Sequence, residues 1–226
     1  MKQEKLLIIG SGPLISEAGI VNQTAFGLRT WQFLSVVKNW SGSMQLILLD
    51  EPRFYKIFPE TNKLRTVEVF GKQIEVIHLE KNSKNFFQNL KNCAETFDPT
   101  ILLGINLMPS FYAAKLKISQ KIPFWADLNG WSLAEAQSQA FVEKNNAYIP
   151  AIWEREKFVL ERADKISTVS DAQNFATIGQ LATLGRLQFE TENYEFVSTI
   201  ENGNETLGLE KFSPNRKPYN VRKNYI

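Results

Sequence analysis

The residues best equipped for chemistry are Asp127-Leu128-Asn129-Gly130, where a carboxylate, a carboxamide and a glycine follow an apolar run. A carboxylate in such a setting can hold a hydroxyl group or take its proton. Asn129 adds a donor and an acceptor, and Gly130 permits a backbone angle that other residues resist. A plain strand-end turn explains the same four residues, so both readings stand here. A second group is Gly10-Ser11-Gly12, directly after the apolar run Leu6-Leu7-Ile8-Ile9. Small residues in such a loop let backbone N–H groups approach a phosphate, and a tight turn would use them too.

Other chemistries lack their parts. The dinucleotide fingerprint needs a third glycine where Ile15 stands, and the acid after the next strand, Asp50, comes 38 residues after Gly12 instead of about 20. There is no Walker lysine pattern. The single cysteine, Cys93, excludes an intramolecular disulfide and any two-thiolate site. The single histidine, His78, sits in the alternating run Ile74 to Leu79 and reads as a strand residue. One His and one Cys make zinc or Cys/His catalysis poor candidates, and no metal is demanded. The acids Glu135, Glu143, Glu154, Glu156 and Glu161 fall on helical stretches and read mostly as solvated faces. Trp125, Trp131 and Trp153 are expected to cluster near the active edge, where aromatic rings serve core packing or stack on sugars.

These residues need strand ends to present them. Met44–Leu49, Thr100–Leu103, Pro123–Asp127, Lys165–Val169 and Phe196–Ile200 read as further short strands. Between them, three- and four-residue apolar spacing over Thr24–Trp40, and helical stretches at Ser83–Thr96, Ser110–Ser119, Ser132–Lys144, Ile152–Ala163 and Asp171–Leu184, read as helices. Ser132 with Glu135 three residues on has capping-box spacing. Leu64–Phe70 and Gln73–Leu79 read as a hairpin, or the second as the next parallel strand. The alternation predicts an α/β fold with a doubly wound, mostly parallel sheet, whose ligands bind beyond the carboxyl ends of the strands. A net charge of +2, from 26 basic and 24 acidic residues, gives no basic face for nucleic acid. No apolar stretch is long enough to span a bilayer or to serve as a signal-peptide core, so a cytoplasmic location is the expectation.

The stretch from Trp125 to Gly203 carries a specific pattern: Ala126-Asp127-Leu128-Asn129-Gly130, Ala134-Glu135-Ala136-Gln137, Ala163-Asp164-Lys165-Ile166-Ser167-Thr168-Val169-Ser170, Ile178-Gly179-Gln180-Leu181 with Gly185-Arg186-Leu187, and Glu201-Asn202-Gly203. In that order it resembles bacterial glycosyltransferases of the retaining, group 1 (family 4-like) GT-B type. The first 120 residues agree only in general layout. The resemblance implies a Rossmann-like acceptor-side lobe over residues 1–205 and an interdomain linker or tail over 206–226. It implies that Gly10, Ser11 and Gly12 face the donor phosphates, and that Asp127 is the catalytic group near the reacting sugar. Asn129, Gly130 and Ser170 would line the cleft, with Asn202-Gly203 as the hinge. Glu201 stands where the family usually has proline.

The substrates implied are a nucleotide-sugar donor and a glycan or other hydroxyl acceptor, with no further cofactor. The family's second lobe has no counterpart in these 226 residues, so a separate C-terminal lobe is an expected partner and the isolated chain is expected to be inactive. The basic residues Arg216, Lys217, Arg222 and Lys223 suit a linker and also allow contact with a membrane surface. A non-catalytic sugar- or partner-binding module is the alternative.

Overall fold

A computed structural model describes residues 4–16, 22–117 and 122–203. The tail over 206–226, with Arg216, Lys217, Arg222 and Lys223, and the end of the Ser110–Ser119 helix lie outside the described residues. The strands are β1 (Lys5–Ser11), β2 (Ser43–Asp50), β3 (Leu64–Val69), β4 (Lys72–Glu80), β5 (Ile101–Ile105), β6 (Phe124–Leu128), β7 (Lys165–Thr168) and β8 (Val197–Thr199). The helices are α1 (Ala25–Val37), α2 (Phe86–Phe97), α3 (Leu107–Lys117), α4 (Ser132–Glu143), α5 (Tyr148–Leu160) and α6 (Asp171–Thr183).

Among the described residues one sheet joins eight strands in the order β3-β4-β2-β1-β5-β6-β7-β8. Every pairing is parallel except β3 with β4. The expected doubly wound, mostly parallel sheet is therefore what forms. Both readings of Leu64–Leu79 hold together, because β4 closes an antiparallel hairpin with β3 and runs parallel to β2. The hairpin turn is Phe70-Gly71, both at positive φ (52° and 75°), one residue earlier than the expected Gly71-Lys72. Two consecutive left-handed residues suit the twist of a tight hairpin.

The central strands are apolar on both faces because both faces are covered. Leu7, Ile9, Ile47, Leu49, Ile77 and Leu79 pack on one side in a core with residues of α2, α3, α5 and α6. Leu6, Ile8, Leu46, Leu48, Val76 and Leu103 point the other way, against Phe33 and Leu34 of α1. Winding reverses between β1 and β5, the strands that leave the centre in opposite directions. Their carboxyl ends border the crevice where such sheets take ligands.

Helix starts show where local chemistry decides. Thr24 caps α1 by accepting from Gly27 N–H at 2.8 Å, and Ser170 caps α6 by accepting from Gln173 N–H at 3.3 Å. The expected capping box at Ser132 does not form: Trp131 occupies the cap position with no side-chain bond, and Ser132 is the first helical residue. The three tryptophans do not cluster. Trp125 packs with the α1 core and meets the Phe33 ring edge-on at 5.5 Å, Trp153 packs into the opposite core, and Trp131 is exposed.

Glu156 of α5 was expected on a solvated face and is 3% exposed. Its Oε1 accepts from Gln180 at 2.9 Å, and its Oε2 has no partner among the described residues. Burial pushes this carboxyl above its ordinary pKa, with the Gln180 bond opposing the rise. A raised folded-state pKa means that ionisation costs stability as pH climbs from the unfolded value through the folded one. Glu156→Gln is therefore expected to melt higher than the native chain at about pH 8, with the gap closing toward about pH 4. Thermal melts across that range read the difference.

Candidate functional site

A crevice of about 320 Å³ opens at the carboxyl edge of the sheet, beside the reversal point. Its polar wall comes from Ser11 at the end of β1, Lys81 after β4, Asn106 after β5, Asn129 after β6, and Glu135 on α4. Phe26, Leu107, Met108, Pro109, Tyr148 and Ile152 supply its apolar wall. A smaller hollow of about 100 Å³ adjoins it through Ser11, Phe26 and Lys81, and reaches Gly12 and Arg53. A larger and more open hollow, about 760 Å³, lies at the opposite edge, among the strand starts near Lys5 and Gln45 and the face of α2. Size favours that hollow, but position favours the crevice, because strand ends and the reversal point converge there.

Behind the crevice lies the most heavily bonded group in the site. Arg29 of α1 is 1% exposed, on the apolar stripe of its helix. Its Nε donates to Asp127 Oδ2 at 3.0 Å and its Nη2 donates to Asp127 Oδ1 at 2.8 Å. Nη2 also donates to the Ile200 carbonyl at 2.8 Å. Nη1 donates to the Asn202 side-chain oxygen at 3.0 Å and to the Glu201 carbonyl at 3.3 Å. All five guanidinium N–H groups are thereby used, and the planar group lies 4.8 Å from the Phe33 ring centre.

Strand alternation delivers Asp127 to this contact. Phe124, Ala126 and Leu128 face one core, so Trp125 and Asp127 face α1. Register then places Asp127 between Ile105 and Ser167. The carboxylate also accepts from Ser167 Oγ at 2.7 Å and from the backbone N–H of Asn106. Burial raises the Asp127 carboxyl above its ordinary pKa, and the bonds from Arg29 and Ser167 oppose the rise.

This geometry bears on the expected role of Asp127. A proton-accepting group must come within about 3 Å of the substrate atom, and Asp127 is 0% exposed with both oxygens engaged inside the protein. It bears on the glycine loop as well. Gly10 lies in β1, where a Cβ would stand 2.5 Å from the Thr30 side chain. A Cβ on Gly12 would stand 1.9 Å from Asp50 Oδ1. Asp50 is buried, accepts from Tyr55 Oη at 2.8 Å, and lies 2.6 Å from His78 Nδ1. Both glycines are thus required by the packing beneath the loop. Ser11 lines the crevice, but its N–H donates to Thr30 Oγ1 at 3.0 Å.

The remaining expected residues divide. Asn129 lines the crevice and accepts from Asn202 Nδ2 at 3.2 Å. Gly130 has the expected unusual angle, φ +87°, and its carbonyl accepts from Gln173 Nε2 at 2.7 Å. Ser170 is an exposed helix cap outside the crevice wall. Asn202 belongs to the Arg29 cluster, and the Gly203 carbonyl accepts from Gln32 of α1. Asn106 opens a strand-end loop that the sequence already pointed to, whereas Arg29, Lys81 and Glu135 were not expected in the site. A charge on the apolar stripe of α1 was a readable sign of Arg29. Among the described residues no group of three or more His, Cys, Asp or Glu is placed to hold a metal ion.

Two variants test this construction. Removing one partner of a buried pair leaves the other charge stranded, so Asp127→Asn or Arg29→Met should each cost about 3–5 kcal/mol. The double variant Arg29→Met/Asp127→Leu should recover part of that loss. Gly12→Ala, forced against Asp50, should cost about 1–3 kcal/mol. Urea unfolding curves measure all of these.

No protein-family profile matches the chain, and no curated protein is similar to it in sequence at a significant level. Among solved structures it is similar to sucrose-phosphate synthase from Thermosynechococcus elongatus, with a TM-score of 0.55 at 11% identity, over 88% of this chain and 48% of that one. A structure of LpCGTa in complex with UDP aligns with a TM-score of 0.49 at 10% identity, over 92% of this chain and 56% of that one. The chain therefore spans about half the length of these proteins. The first likeness shows the fold: a Rossmann-like α/β lobe of the GT-B kind.

Proposed function

We propose that this chain is the acceptor-side lobe of a retaining glycosyltransferase, which passes a sugar from a nucleotide-sugar donor to a hydroxyl of a glycan or other acceptor. The carrying observation is the crevice at the reversal point, where Asn106, Asn129, Glu135, Ser11 and Lys81 converge beside an apolar wall. Hydrogen-bonding groups set against apolar surface suit a ligand with polar edges and apolar faces. In the transfer, the acceptor oxygen bonds to the anomeric carbon while the bond from that carbon to the diphosphate breaks, and the acceptor proton leaves to a base. Among the described residues Glu135 is the one carboxylate in the crevice wall, and it takes the acceptor-facing role first expected of Asp127. Asp127 instead positions the wall through Arg29 and Asn106.

In this reading residues 1–205 form the acceptor domain. Asn202-Gly203 forms the hinge to a second lobe that supplies the donor site, and 206–226 is the linker. One observation favours a non-catalytic sugar- or partner-binding module as the second reading: the expected catalytic carboxylate is locked inside the fold. Among the described residues no helix is long and apolar enough to cross a membrane.

Backbone amide NMR of the 226-residue chain, titrated with monosaccharides, their methyl glycosides and a nucleotide-sugar, tests the reading. Sugars should shift the resonances of Asn106, Asn129 and Glu135, and the chain alone should transfer no sugar. Shifts confined to the hollow around Gln45 and Cys93, or robust transfer without a partner, would contradict it.

A further inference from the structure

Asn106 has three properties rarely found together. It holds φ at +75°, a left-handed angle that costs a side-chain-bearing residue energy. It is 3% exposed yet belongs to the crevice wall. Its carboxamide is half satisfied: Nδ2 donates to the Phe26 carbonyl at 3.2 Å, and Oδ1 has no hydrogen-bond partner among the described residues. The bond to Phe26 also fixes which end of the amide is nitrogen, since only the NH2 end of a carboxamide can donate to a carbonyl.

A buried acceptor without a donor is costly and is uncommon in native structures unless it has a use. Strain at a residue beside a ligand cleft is likewise retained where the surroundings enforce it. Here they do: the backbone N–H of Asn106 is held by Asp127, itself fixed by Arg29. Backbone and Nδ2 are both committed, so the carboxamide oxygen is the group left to respond to a ligand in the crevice.

We propose that Asn106 is a specificity-determining residue that accepts a hydrogen bond from one hydroxyl of a sugar ring bound in the crevice. Its complement is a neutral O–H donor. The surroundings narrow the class further. The exposed rings of Phe26 and Tyr148 lie in the same wall and offer apolar surface to the C–H face of a pyranose. Glu135 and Asn129 offer acceptors to its other hydroxyls. The proposal rests on the reading of the crevice as the acceptor site and adds which atom reads the acceptor.

The variant to use is Asn106→Gly, because glycine adopts φ +75° without strain and the chain should fold. Asn106→Asp keeps the size but sets a carboxylate against the Phe26 carbonyl. The probes are monosaccharides and methyl glycosides, followed by deoxy analogues of any that bind, with affinities from NMR titration. Asn106→Gly should weaken the bound sugar about tenfold. One deoxy analogue should bind the native chain about tenfold more weakly than its parent and show no further loss on Asn106→Gly. A sugar that shifts crevice resonances and binds Asn106→Gly as tightly as the native chain overturns this proposal and leaves the acceptor-site reading standing. If no sugar shifts the crevice resonances, both fall.

Discussion

A buried guanidinium is tolerable only when its donors are all answered, because removing the charge from water costs several kcal/mol. Arg29 meets that condition by drawing on parts of the chain far from it in sequence: Asp127 on β6 and the three residues Ile200, Glu201 and Asn202 after β8. Neither β6 nor the exit segment can shift alone without stranding one of its bonds. The close, two-pronged contact with the carboxylate makes the pair directional, so it specifies where α1 lies as well as attracting it to the sheet.

The crevice inherits its shape from this pair. Asp127 holds the backbone of Asn106 on one side. On the other, Asn202 accepts from Arg29 and donates to Asn129. Asn106 and Asn129 are both wall residues, so the links from Asn106 through Asp127, Arg29 and Asn202 to Asn129 close a loop behind the cleft. A ligand touching either asparagine touches the segment by which the chain leaves the sheet. Under the proposed function that segment is the hinge, and the arrangement would couple acceptor occupancy to lobe orientation.

Much of the architecture was legible in the sequence, because strands buried on both faces read as uninterrupted apolar runs, as Leu6–Ile9 and Leu46–Leu49 do. The choice for Leu64–Leu79 was left open because an antiparallel and a parallel partner leave the same mark on β4. Ser132 misled because capping spacing is a local signal, and Trp131 took the cap position. The strand end at Asp127 to Gly130 was legible, but the direction of the Asp127 side chain was not. Alternation says which residues share a face, and only the arrival of Arg29, 98 positions away, decides that this face is closed. Gly10 and Gly12 were read as open to a phosphate because a glycine does not reveal whether its empty side meets a ligand or Thr30 and Asp50.

Native-state hydrogen exchange measures the central claim most directly, that the Arg29–Asp127 pair makes the crevice wall and the exit segment one unit. The amides of Asn106, of Leu128 in β6 and of Ile200, whose N–H donates to the Thr168 carbonyl at 2.7 Å, report the three parts. The account predicts that they open with a common free energy and a common dependence on denaturant. Exchange at Ile200 by a low-energy local opening, while Leu128 and Asn106 stay protected to the level of global unfolding, would contradict it.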